Sequence, residues 1–274
     1  MRLKIAHTTT YRYEPPASGV IQILRMTPGG HDGQHVANWQ IDVSTDSRLD
    51  VHEDAFGNIT HVLTHGTISD LTISVEGLVE THDTGGMLRG TDERFPPSLF
   101  LRATPLTSVT AAMAAFANDL RVEAGGDELG FLHALLLQIN DHMTFDTDPT
   151  HAGTSAAEAF ALQRGVCQDY AHIFIACARS AGVPARYVSG HLMRSDGMVA
   201  QNAGHAWAEA HVEGLGWVGF DAANGICTTE AHVRVAIGLD YLTAAPVRGT
   251  RYGGGKETLE VAVHVDQAGR QSQS

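Results

Sequence analysis

The sequence predicts an α+β protein in two parts, a β-sandwich over residues 1–80 and a mixed helix-and-sheet core over residues 106–266. Three observations carry this. Apolar and aromatic residues alternate at period two through the first 80 residues. A glycine- and proline-bearing passage without periodicity follows over 81–105, and beyond it helical spacing gives way again to short alternating runs. A chain of 274 residues, 43% of them apolar and 18% charged, can bury the cores that two such parts require.

Taken in order, Leu3, Ile5, His7, Thr9, Tyr11 and Tyr13 fall on one face of a strand, and Trp39, Ile41 and Val43 repeat the pattern, as do Ile73, Val75 and Val79. Turn clusters such as Thr27-Pro28-Gly29-Gly30 and Phe56-Gly57-Asn58 separate these runs, the punctuation of a sandwich. Gly85-Gly86, Gly90 and Pro96-Pro97 mark the connection between the parts. The alanine-rich residues 109–122 then predict a helix. Leu129, Leu132, Leu135, Leu136 and Ile139 predict a second behind Asp127 as its cap, and Ser155-Ala156-Ala157-Glu158 is a capping box opening a short third. A fourth starts at Cys167, carries Tyr170, Ala171, Phe174, Ile175 and Ala178 as a broad apolar stripe, and stops at Gly182 with Pro184 beyond. Strands follow over 186–191, 205–212 and 217–220. After a polar passage, Leu259, Val261, Val263 and Val265 form the last one, and residues 267–274 read as a disordered tail.

The charge balance excludes some partners. Thirty-one acidic against 18 basic residues give a formal charge of -13, which repels nucleic acid and anionic lipid. No stretch approaches a membrane span and the N-terminus lacks a secretory h-region, so the expected location is cytoplasmic. Cys167, Cys177 and Cys227 include no C-x-x-C pair and are expected as free thiols.

Cys167 is the informative one. Arg164-Gly165-Val166-Cys167-Gln168-Asp169-Tyr170-Ala171-His172 hands the thiol from a glycine turn to a helix N-terminus, where unpaired N–H groups and the macrodipole favour thiolate. Downstream, Gly204-His205-Ala206-Trp207 lies on a strand whose Ala206, Ala208 and Ala210 face can sit closely under a helix. Gly216-Trp217-Val218-Gly219-Phe220-Asp221 follows as its antiparallel neighbour. His205 could then accept the thiol proton and Asp221 could fix the imidazole tautomer. Each residue alone reads as core filler or a solvated side chain; the ordered combination carries the argument. Asp169, in the first turn, suits the helix dipole and a structural role. His172 falls off the thiol's face, Cys177 reads as core and Cys227 as a bystander.

Those blocks, with Gly182-Val183-Pro184-Ala185-Arg186-Tyr187-Val188-Ser189-Gly190 between them, resemble the bacterial transglutaminase-like family across residues 150–225, and the preceding region is similar to the β-rich domain found before that core. The resemblance implies a papain-like α+β core, the fold of cysteine proteases, with a triad on Cys167, His205 and Asp221. Ala222 departs from it, since many members have proline there. The backbone N–H of Cys167 is one natural oxyanion donor; Gln163, Gln168 and Asn202 are candidates for the second. His205 and His211 share a strand face with Glu209 but stand about 20 Å apart, and no EF-hand loop is present, so no metal or other cofactor is expected.

The expected activity is attack of a thiol on the amide bond of a peptide or protein substrate through a thioester, as a cysteine peptidase or amidase. Transfer of the acyl group to an amine, as in a transglutaminase, is the alternative. A non-catalytic peptide-binding module on the same fold is the reading from another class, and an intact triad argues against it.

Overall fold

The computed structural model describes residues 1–269; of the tail expected to be disordered, 270–274 lie outside the described residues. The N-terminal part is organised by one long strand, β1 (Arg2–Thr27). Pro15 and Pro16 lack amide hydrogens and interrupt its ladder, so β1 serves two groups of partners. Its first half pairs antiparallel with β5 (Ile68–Thr81) and with the last strand, Lys256–Gln267. Its second half pairs with β4 (Ile59–His65) and with the strand Val247–Gly253, while β3 (Leu49–Glu53) continues beyond β4 and β2 (Gln34–Val43) beyond β5. With the short strand Ala200–Gln201 pairing beside Lys256–Gln267, the result is one hydrogen-bonded sheet of eight strands, folded so that Tyr13, Leu24, Leu63, Leu71 and Ile73 enter a common apolar cluster. Residues 247–266, assigned from sequence to the second part, therefore belong to the sheet of the first. The period-two run at 259–265 identified a strand but carried no information about its partner.

The second part is built around α4 (Cys167–Ser180), whose residues from Asp169 to Arg179 are all buried. Helices α1 (Ala111–Glu123), α2 (Glu128–His142) and α3 (Ala156–Leu162) surround it, with Asp127 capping α2 and the Ser155–Glu158 box opening α3. Gly182, at φ +85°, ends the turn after α4 in a conformation that costs glycine no Cβ clash. Beneath α4 lies an antiparallel sheet. Its order runs Ile226–Cys227, Gly216–Asp221, His205–Val212, Ala185–Leu192, His232–Gly238, with Met87–Leu88 pairing beside the second. Ala206, Ala208 and Ala210 share the core cluster with Ala171, Phe174 and Ala178, so the small face of the histidine strand admits the helix closely. Among the described residues no helix is long and apolar enough to cross a membrane.

Contacts of several kinds join the parts. Leu3, Ile5, Val79, Val263 and Val265 bury against Val233. At the outer edge of the sheet, the Gln34 carboxamide donates to the Arg234 carbonyl and accepts from the Arg234 N–H, both at 2.8 Å; Asn58 does the same with Ile237, again at 2.8 Å. Two side chains thus cover polar groups that an unpaired strand edge would leave open.

His7 and His191 meet edge to face at the same boundary, ring centroids 5.5 Å apart. Burial pushes His7 down to about 4; burial, reinforced by His7, pushes His191 down to about 3. An unfolded histidine binds its proton below about 6.5, while these rings stay neutral in the fold, so acidification favours the unfolded chain until the folded rings themselves titrate. Thermal unfolding should show the midpoint falling from pH 6.5 toward 4, and less steeply in a His7→Gln/His191→Gln variant. Identical pH slopes for the two proteins would contradict this assignment.

Candidate active site

Cys167 is the first residue of α4, half-buried, with Val166 as the preceding extended cap. The turn is locked by Asp169: its Oδ2 accepts from the Val166 N–H at 2.8 Å and from the Thr150 hydroxyl at 2.8 Å. That carboxylate lies where a Cβ on Gly165 would be, 2.4 Å from the ideal position, so residue 165 has to be glycine for the thiol to be presented in this way. Asp169 acts structurally, as its first-turn position suggested. His172, fully buried, accepts from the Tyr241 N–H at 3.0 Å and is held neutral by burial, its pKa lowered to about 4.

His205 begins the histidine strand, and its Nε2 lies 2.7 Å from Asp221 Oδ2 at the end of the neighbouring strand. Asp221 engages Nε2 and leaves the other ring nitrogen, Nδ1, free of that carboxylate. Burial opposes the imidazolium; the charge and hydrogen bond of Asp221, then the influence of Cys167, overcome it and raise the pKa to about 10. Asp221 is fully buried, which works against its charge, yet His205 and then His232 hold it well below the usual carboxylate range. Its neighbour Ala222 leaves the turn intact: Asn140 Nδ2 donates to the carbonyls of Ala222 and Ala223 at 2.9 and 3.1 Å, and the Asn224 N–H donates to the Asp221 carbonyl at 3.2 Å.

Two residues at Asp221 were not anticipated. Asn224 Nδ2 donates to Oδ2 at 2.7 Å, and His232 Nε2 lies 3.1 Å from the same oxygen. His232 stands at the start of a strand hidden in what read as a polar passage; the alternation of Val233, Val235 and Ile237 was the available signal. His205, Asp221 and His232 offer ligand atoms within 4.8 Å of one another. They fit a hydrogen-bonded cluster better than a cation site, because His232 Nδ1 accepts from the Thr229 N–H at 3.1 Å, which leaves the proton on Nε2, facing the carboxylate.

The candidates for a second oxyanion donor are dispersed. Gln163, in the left-handed region at φ 55°, turns its amide to the His142 ring at 3.3 Å; Gln168 reaches the Ala152 carbonyl at 3.4 Å; Asn202 is exposed. Glu209 forms buried ion pairs with Arg186 at 2.6 Å and Arg234 at 2.7 Å, and His211 lies against Trp217 with ring centroids 5.3 Å apart.

The other two thiols differ physically from Cys167. Burial pushes Cys177 up to about 12, and burial also raises Cys227, which sits 3.5 Å from His133 Nε2. Iodoacetamide near neutral pH should therefore label Cys167 first, as read by peptide mapping. Equal labelling of all three, or Cys167 slowest, would contradict the site.

A cysteine at the start of a buried helix, set against an antiparallel sheet that carries histidine and aspartate on adjacent strands, defines the papain-like α+β class. Residues 114–222 match the profile of the transglutaminase-like superfamily, and residues 3–80 match that of the bacterial transglutaminase-like N-terminal region. An uncharacterized protein of Mycobacterium leprae (strain TN) is 28% identical over 96% of this chain and 98% of its own length. A protein-glutamine gamma-glutamyltransferase of Pseudomonas aeruginosa is 29% identical over 51% of this chain, which is 23% of that relative. The crystal structure of a candidate cysteine protease from Cytophaga hutchinsonii has the same fold, with TM-score 0.73 at 21% identity over 95% of this chain and 90% of that one.

Proposed function

We propose that this protein is a thiol enzyme acting on carboxamide or peptide bonds, with Cys167 as nucleophile, His205 as acid and base, and Asp221 as the group that orients His205. The single observation behind the reading is the 2.7 Å contact between His205 and Asp221, which leaves the opposite ring nitrogen for Cys167. In the first step the sulfur adds to the carbonyl carbon. The C–N bond then breaks as the His205 imidazolium gives its proton to the departing amine, leaving a thioester and a neutral imidazole. The Cys167 N–H, at a helix start with no intrahelical acceptor, is placed to donate to the oxyanion. In the second step the imidazole takes a proton from the incoming nucleophile, which adds to the thioester and releases the sulfur.

Hydrolysis is the favoured outcome, making the protein a cysteine peptidase or amidase, because water needs no built acceptor site. A glutamine-containing peptide library incubated with and without a primary amine, then read by mass spectrometry, separates the cases. Carboxylate or cleaved products in both samples support hydrolysis. Amine adducts outnumbering hydrolysed products would make the protein a transglutaminase, and no product of either kind would leave the peptide-binding module as the better account.

A further inference from the structure

We propose that His232 is a positioning residue for Asp221, and that the N-terminal domain takes part in the chemistry by holding the strand on which His232 stands. This rests on the reading that Asp221 orients His205. Three donors converge on Asp221 Oδ2: His205 Nε2 at 2.7 Å, Asn224 Nδ2 at 2.7 Å and His232 Nε2 at 3.1 Å. Asn224 belongs to the turn that Asp221 itself begins and moves with it. His232 is different. After Cys227, which pairs beside the Asp221 strand, residues 228–231 carry the chain to the far edge of the sheet, and His232 reaches back from there.

Its ring is fixed from two sides: Nδ1 accepts from the Thr229 N–H at 3.1 Å, and the ring meets Trp207 edge to face with centroids 5.2 Å apart. The tautomer is therefore set, and Nε2 has a proton to donate to Asp221. A carboxylate held by donors from separate elements is hindered from rotating away from His205, in the way outer partners fix a ligating or catalytic group.

The strand His232–Gly238 is an edge strand, whose outward amides and carbonyls have no neighbouring strand. Gln34 and Asn58, both buried, replace that neighbour at Arg234 and Ile237, and the Thr81 hydroxyl donates to the Glu230 carbonyl at 2.6 Å. Each of these three residues lies on the strands and turns of the N-terminal sheet, so the position of His232 depends on a part of the chain from which, among the described residues, no side chain hydrogen-bonds to Cys167, His205 or Asp221.

The test uses the full chain and acylation of the thiol by 4-nitrophenyl acetate, an ester small enough to need no dedicated substrate site. His232→Leu should lower the acylation rate constant about tenfold, the scale of one charge-assisted hydrogen bond, with the saturation constant unchanged. His232→Gln can place an N–H near the same point and should recover most of the rate. A Gln34→Ala/Asn58→Ala double variant should lose rate in the same direction, again without a change in saturation. Unfolding midpoints are measured for every variant. A wild-type rate in His232→Leu, or no advantage of His232→Gln over His232→Leu at equal midpoints, overturns the positioning role; a wild-type rate in the double variant overturns the domain's part in it. Cys167→Ala separates the two levels, because undiminished acylation there would sink the enzymatic reading itself.

Discussion

Cys167→Ala should abolish turnover of any carboxamide substrate, by at least roughly 10⁴-fold, since only binding and oxyanion contacts would remain to accelerate the reaction. The fold should survive. Alanine is the best helix former, and Cys167 is only half-buried, at the helix start and at the margin of the core cluster rather than among its fully buried members. His205→Gln should lose activity on the same scale, because it removes both the acid for the departing amine and the partner of the thiol; it should also slow alkylation of Cys167. His211→Gln is the contrasting case on the same strand. Its ring lies on Trp217, and its activity should stay near wild type. Inactive His211→Gln with active His205→Gln, both folded by circular dichroism, would show that the base had been misassigned.

Asp221→Asn should cost about 10³–10⁴-fold in kcat while the fold is retained, the scale on which a triad suffers when its orienting carboxylate becomes an amide. The cause is visible in the hydrogen bonds. Asp221 Oδ2 requires a proton on His205 Nε2, leaving Nδ1 for the thiol, whereas an amide can also donate to the ring and stabilise the opposite tautomer. The pH profile gives an independent check. With Asp221 present the imidazolium persists to about 10, so the alkaline fall in kcat/KM should lie near that value. Removing the carboxylate removes the largest contribution that raises His205, leaving burial to act against the charge, so the fall should move to lower pH. An Asp221→Asn profile that superimposes on wild type after scaling would sink the orienting role.

Much of the candidate site was legible in the sequence because its signals are local. The thiol follows a glycine turn at a helix start, and the requirement for Gly165 arises from Asp169, four residues away. The alanine face beside His205 is a period-two pattern within a single strand, and helix caps such as Asp127 and Ser155 act within one turn. His232 was missed for the opposite reason. Nothing within its own segment distinguishes it from a solvated histidine; its role comes from a chain crossing that returns it to Asp221, eleven residues earlier.

The sequence alone determined the presence of two parts, the helix that begins at Cys167 and the strands that carry His205 and Asp221, since periodicity, capping and turn chemistry are properties of neighbouring residues. Only the tertiary structure decided that the last two strands return to β1, where Tyr11 pairs with Leu259, and that Gln34 and Asn58 close the edge of a sheet in the other part. Backbone amides and carbonyls are chemically alike in every strand, so a strand pattern cannot name its partner. The partner is selected by which faces can be buried together once the whole chain is assembled.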